Sequence, residues 1–224
     1  MDLPDLSWQF MYGRVAWALV LASLVAAVWP ATPRLRRGTL AVILGACAVV
    51  MALPGAASPA WHLGLAFQYP SALLLGLCLV GLHGHWSGAP PARLMPVGTA
   101  ALLAVVGAFL YLDAAGLLAR SAYYAGFGAT KAPLAAVLLA CASALAAARG
   151  HWRPQACALL AALLLFSLAR LPTGNLWDAV LDPLLWGWAV TALCGAGLRR
   201  LLAGRRRAIP ATGTGNEPFS PIKE

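Results

Sequence analysis

The sequence predicts an all-α integral membrane protein: a polytopic bundle of seven transmembrane helices in one domain, amino terminus outside and carboxyl terminus inside. Three observations predict it. The chain is 61% hydrophobic and only 10% charged over 224 residues, too apolar for a soluble domain of that length. Apolar runs of about twenty residues recur from end to end, the length a helix needs to cross a bilayer. The basic residues behind the net charge of +9 sit in short clusters between those runs, which is how membrane topology is set. That clustering excludes nucleic acid as a partner, and the bilayer itself becomes the first partner expected.

The first helix covers residues 8–29 and stops at Pro30 and Pro33, since proline cannot donate the next helical hydrogen bond. A loop with Arg34, Arg36 and Arg37 follows. The second helix, residues 38–53, ends at Pro54-Gly55, and the loop on to His62 has no Lys or Arg. The third, residues 65–84, leads into His85, Trp86 and Arg93. The fourth spans residues 94–113 and has apolar sequence to continue as far as Ala119. Residues 114–129 read equally as more helix or as a re-entrant or interfacial segment, followed by Lys131. The fifth helix spans 132–148 and ends at Arg149 and Arg153. The sixth, 154–169, reaches Arg170, and Pro172-Thr173-Gly174 makes a turn. The seventh starts at Asn175 or Pro183, runs to Leu202 and ends in Arg199, Arg200, Arg205, Arg206 and Arg207. Residues 1–207 are thus the bundle. Residues 208–224, polar and rich in Pro, Gly and Thr, are expected to be a disordered cytoplasmic tail.

With the amino terminus outside, the inner loops collect Arg34, Arg36, Arg37, Arg93, Arg149, Arg153 and the five final arginines. The outer side holds only Arg14, Arg120, Lys131 and Arg170. The alternation runs unbroken through seven helices, which fixes the orientation. A bacterial inner (plasma) membrane is the expected location. The residues before Arg14 carry Asp2 and Asp5 but no Lys or Arg, so they do not read as a signal peptide. Cys47, Cys78, Cys141, Cys157 and Cys194 fall singly inside apolar runs and read as small buried hydrophobes, not as a disulfide framework.

The same topology puts all five aspartates (Asp2, Asp5, Asp113, Asp178 and Asp182) on the outer side. The stretch around Arg170, Thr173, Asn175, Asp178 and Asp182 is the densest in chemistry. Asp178 and Asp182 are four apart and would share a face of one helix, whose start Thr173 or Asn175 can cap. Asp182, just before Pro183, also reads as a cap itself, a role that Asn would fill nearly as well. Asp113 and Arg120 are seven apart and would share a face if the fourth helix continued. Charges this close to a membrane usually face a partner or a wet cavity. The candidate vestibule is therefore Arg14, Asp113, Arg120, Lys131, Arg170, Asp178 and Asp182, binding a ligand or pairing internally. Lys131 or Arg14 is expected within salt-bridge range of an aspartate. Trp8, Tyr12, Trp61, Tyr69, Tyr111, Tyr123 and Trp177 lie at similar depth and read as an interfacial aromatic belt.

No metal or cofactor is expected. His83, His85 and His151 fall on the inner side without Cys or carboxylate, so they read as loop histidines. There is no GxSxG, HExxH, P-loop or paired CxxC, and the last helix has no Lys for a Schiff base. Pro154-Gln155 matches the dipeptide of the seven-helix PQ-loop carriers, but the chain has no second copy and no matching halves, so it assigns no family. Ala136, Ala140, Ala144 and Ala148 form a small-residue stripe suited to close helix packing. Three function classes follow: a carrier or channel for a small solute, a non-catalytic subunit or assembly factor working with partner membrane subunits, and a membrane enzyme using Asp178 or Asp182 at the outer leaflet. The first is the expectation. The third lacks a nucleophile or ligand set to accompany the carboxylates.

Overall fold

The computed structural model describes residues 4–29, 36–88, 93–119 and 121–208, with side chains as far as residue 203. Among these, all regular structure is helical: α1 Leu6–Val28, α2 Arg37–Met51, α3 Pro59–Phe67, α4 Ala72–Ser87, α5 Val97–Ala114, α6 Lys131–Ala148, α7 Arg153–Ala169, α8 Leu176–Val180 and α9 Pro183–Ala208. Local chemistry starts several of them. Asp5 accepts from the Ser7 amide ahead of α1, Ser58 from Ala60 ahead of α3, and Ser71 from Leu74 ahead of α4. Each satisfies an amide that the first turn leaves without an intrahelical partner. Arg34, Arg120 and the expected tail beyond Ala208 lie outside the described residues.

Three helices, α1, α5 and α6, are long and apolar enough to cross a membrane, and α2, α4 and α7 are shorter apolar helices. Large hydrophobic side chains stand exposed along them, including Leu24, Leu102, Val105, Val137 and Leu138. Apolar surface of that extent on a lone chain in water would drive association; against acyl chains it carries no such cost.

The core is built around α4 and α7, which pack on each other, with Gly76 of α4 against Ala158 of α7. Leu74, Leu77, Cys78, Ala158 and Ala162 join Ala100 and Leu103 of α5 and Leu181, Leu185 and Ala189 at the start of α9 in one buried cluster. On one side α1 packs on α2 and α4. On the other, α6 packs on α7 through Ala132, Ala136, Leu163 and Phe166. Ala136 of the predicted alanine stripe therefore packs inside, while Ala144 and Ala148 stay exposed. The cysteines are unpaired, but only Cys78 is buried; Cys141, Cys157 and Cys194 sit on outer helix faces.

Two helices depart from their expected bounds, and the fourth keeps its expected end. The third breaks in two at Gln68–Ser71, where Pro70 cannot continue a helix and Gln68 takes φ 61°, ψ −134°. The fourth ends at Ala114, and a short turn at Tyr124–Phe127 occupies the connector. The seventh is likewise two helices, with Leu181 extended between α8 and α9.

Candidate functional site

The two helix breaks and the connector meet at one end of the bundle, and Asp182 joins the breaks. Its Oδ1 accepts the Leu184 and Leu185 amides at 2.8 Å each, capping α9. Its Oδ2 accepts the Ser71 amide, the residue before α4, at 2.6 Å. One buried carboxylate thus holds two helix starts, where the dipole favours negative charge.

Asp178 does a different job. It stands in the first turn of α8, half-buried, and receives the Tyr123 hydroxyl at 2.9 Å and the Thr173 hydroxyl at 2.5 Å. Asn175 caps α8 through the Trp177 amide and sends its own Nδ2 to the Tyr123 carbonyl. The Tyr123 amide donates to Asp113 Oδ2 at 2.7 Å, and Trp177 Nε1 donates to the Ala122 carbonyl. Tyr123 is therefore held by its amide, its carbonyl and its hydroxyl. Gly126, one turn on, admits this arrangement because a Cβ there would overlap Asn175 Oδ1.

Asp178, Thr173 and Tyr123 line a polar cleft of about 360 Å³ with Gln9 of α1, Gln68 and Tyr69 of the α3–α4 break, and Phe127. Burial pushes the Asp178 carboxyl above its ordinary value; the Thr173 and Tyr123 hydroxyls pull the other way, and the Asp182 charge adds to the rise. Burial also raises the Tyr123 phenol, helped by the Asp178 charge. Neutral donors stabilise the carboxylate without neutralising it, so a proton or an arriving cation meets a carboxyl that is still open to it.

Of the predicted vestibule, the structure brings Asp113, Asp178 and Asp182 into one region, linked through Tyr123 and the helix breaks. Asp178 and Asp182 do not share a helix face, because the chain turns extended at Leu181 between them. The continued fourth helix on which an Asp113–Arg120 face depends does not form, because α5 stops at Ala114; Arg120 itself lies outside the described residues. Arg14 and Lys131 are exposed, on α1 and at the start of α6, and neither is among the hydrogen-bond partners of Asp178 or Asp182. Arg170 stacks over the Phe166 ring at 4.8 Å and faces the groove between α6 and α7. Tyr123 is expected only in the aromatic belt and Thr173 only as a cap, yet both donate to Asp178, and the sequence points to neither Gln68 nor Gln9. The Tyr123–Gly128 run, two tyrosines and two glycines inside an apolar chain, is the signal that marks the first of them.

Among the described residues no three His, Cys, Asp or Glu side chains gather as a metal would require. What fold and site define together is an all-helical chain with membrane-length helices and a carboxylate-bearing cleft at one end. No family model matches the chain, and neither curated proteins nor solved structures give a match.

Proposed function

We propose that this chain is a multi-pass membrane protein that carries or conducts a small solute, with the Asp178 cleft as its outward-facing vestibule. In this reading α1, α2, α4, α5, α6, α7 and α9 each cross the bilayer, amino terminus out and carboxyl terminus in. The basic residues at Arg36–Arg37, Arg149–Arg153 and Arg199–Arg200 support the direction. At 1.5 Å per residue, α2, α4 and α7 reach roughly 22–26 Å, and the bilayer thins locally to meet them.

The observation that carries the proposal is Asp178 itself, a half-buried carboxyl bordering an open cleft and held, among the described residues, by neutral hydroxyls. Such a group suits a small solute with a positive charge or several N–H donors. The two broken helices beside it support the reading, since unwound segments expose backbone groups where a cavity needs them. The test is flux into liposomes carrying the purified chain, over a panel of small amines and amino acids, for wild type and Asp178→Asn. Solute-dependent flux that Asp178→Asn abolishes is the expected result. No flux with any solute, or equal flux in both proteins, would sink the proposal.

One observation favours the second reading, a subunit of a larger membrane complex. An apolar cleft of about 490 Å³ separates α5 from α6, with Leu102 and Val106 on one wall and Leu139 and Ser143 on the other. A partner helix lying there would make α5 and α6 inaccessible to lipid, and crosslinks from Leu102 to a second polypeptide in native membranes would identify it.

A further inference from the structure

The groove between α6 and α7 has an arginine at one end. Its walls are apolar, from Val137 and Ala140 of α6 and Leu160 and Leu164 of α7, and it holds about 650 Å³, within the usual range for a small-molecule site. It exists because α6 presents alanines there, whose small side chains leave the space open. Arg170 closes one end. Its backbone is left-handed, φ 57°, at the C-cap of α7, and its Cζ stands 4.8 Å from the centre of the Phe166 ring. Its Nε is shielded from solvent and has no acceptor among the described residues, an uncommon state for a buried donor. Arg170 is not among the hydrogen-bond partners of the neighbouring carboxylates, Asp178 accepting two hydroxyls and Asp182 three amides.

We infer that this groove is a phospholipid site, with one acyl chain along the α6–α7 walls and the phosphodiester on Arg170. A guanidinium presents paired donors that match phosphate oxygens, and the apolar groove continuous with it fits a chain that free phosphate lacks. Lys131 is exposed two residues before Pro133, which also lines the groove, so a second cation stands at the headgroup end. The inference rests on α6 and α7 lying in the bilayer, and not on solute transport.

The test uses the purified, delipidated full chain in detergent, with dioleoylphosphatidylglycerol, dioleoylglycerol or inorganic phosphate added. Binding is read by native mass spectrometry and by melting temperature. The phospholipid alone should bind and stabilise. Arg170→Gln should weaken that binding about tenfold or more, the loss of a charge-assisted contact. Val137→Trp, on an exposed face outside the packed core, should block it by filling the groove. Arg14→Gln should change nothing. Wild-type binding by Arg170→Gln, or by Val137→Trp should the first variant misfold, would overturn the site. Equal stabilisation by dioleoylglycerol or by inorganic phosphate would overturn it too. Alkaline carbonate washing of membranes separates the two failures. Release of the chain removes the membrane reading, whereas a retained chain indifferent to phospholipid removes only the lipid site.

Discussion

Asp182 uses both carboxylate oxygens, and this decides how it responds to substitution. Asparagine keeps an acceptor for the Leu184 and Leu185 amides, but its NH₂ would then face the Ser71 amide, donor against donor. A buried amide stranded that way costs about 1–3 kcal/mol. The sequence alone made Asn look nearly silent here, because only the α9 cap was legible and the tie to Ser71, 111 residues away, was not. Both Asp182→Asn and Asp182→Ala should therefore lower the melting temperature in detergent, with Ala also losing a cap of about 1 kcal/mol. An Asn variant that melts like wild type would show that the bridge to α4 does not form. Asp178 differs, because its carboxyl is raised above the ordinary 3.8 by burial. The folded chain then holds the proton more tightly than the unfolded chain does. This contribution is fully present below 3.8 and is lost as pH rises through the raised folded value. Melting temperature should fall with pH across that window, and Asp178→Asn should remove that part of the slope; an unchanged slope would assign it to other groups. Gln68 carries backbone strain beside the same cleft, in a conformation that glycine adopts freely. Gln68→Gly should leave stability unchanged or raise it by about 1 kcal/mol while reducing solute flux, and a loss of stability would mean the side chain is structural.

At the scale of elements, what periodicity and proline could show was that helices exist, and roughly where they start. The breaks within them were harder to read. Pro183 was visible as a possible start, but a five-residue α8 ahead of it has too little pattern to register. The split of the third helix was hidden inside one apolar run, because its causes are Pro70 and a left-handed Gln68 held by the Trp17 indole, which donates to the Gln68 carbonyl at 3.3 Å. The aspartates of the site were legible as charges in an apolar chain. Of the two hydroxyl partners of Asp178, Thr173 lies only five residues away and reads as a cap, while Tyr123, on the connector 55 residues away, could not be read as a partner at all. The α5–α9 contact shows what such packing demands. Trp186 of α9 donates from Nε1 to the Ala104 carbonyl at 3.0 Å, and its ring lies where a Cβ on Gly107 would be. Gly107→Ala should push the indole off, breaking that hydrogen bond and the edge contact with Tyr111. Overpacking of this kind costs about 1–3 kcal/mol, and a wild-type melting curve would show that α5 and α9 adjust freely.

For the whole molecule, the open quantity is how many helices cross and in which direction. Among the described residues, length and apolarity qualify α1, α5 and α6; the proposal of seven crossings rests on the basic clusters between helices. If α2, α4, α7 and α9 also cross, each connection alternates sides, and the loop after α2 faces opposite to the chain beyond α9. Single cysteines test this, but the structure changes where one must go. Ser58 is buried and bonds the Met51 carbonyl, so a cysteine there would disturb the loop and escape the reagent. Ala56, two residues earlier, is exposed. With the five native cysteines replaced, Ala56→Cys should react in intact cells with an impermeant thiol reagent, and Thr212→Cys should react only after permeabilisation. Reaction of Thr212→Cys from outside together with Ala56→Cys would place both on one side. That result leaves an even number of crossings between them and ends the seven-helix reading. It would also move Arg199 and Arg200 to the outer face, against the charge rule on which the proposed orientation rests.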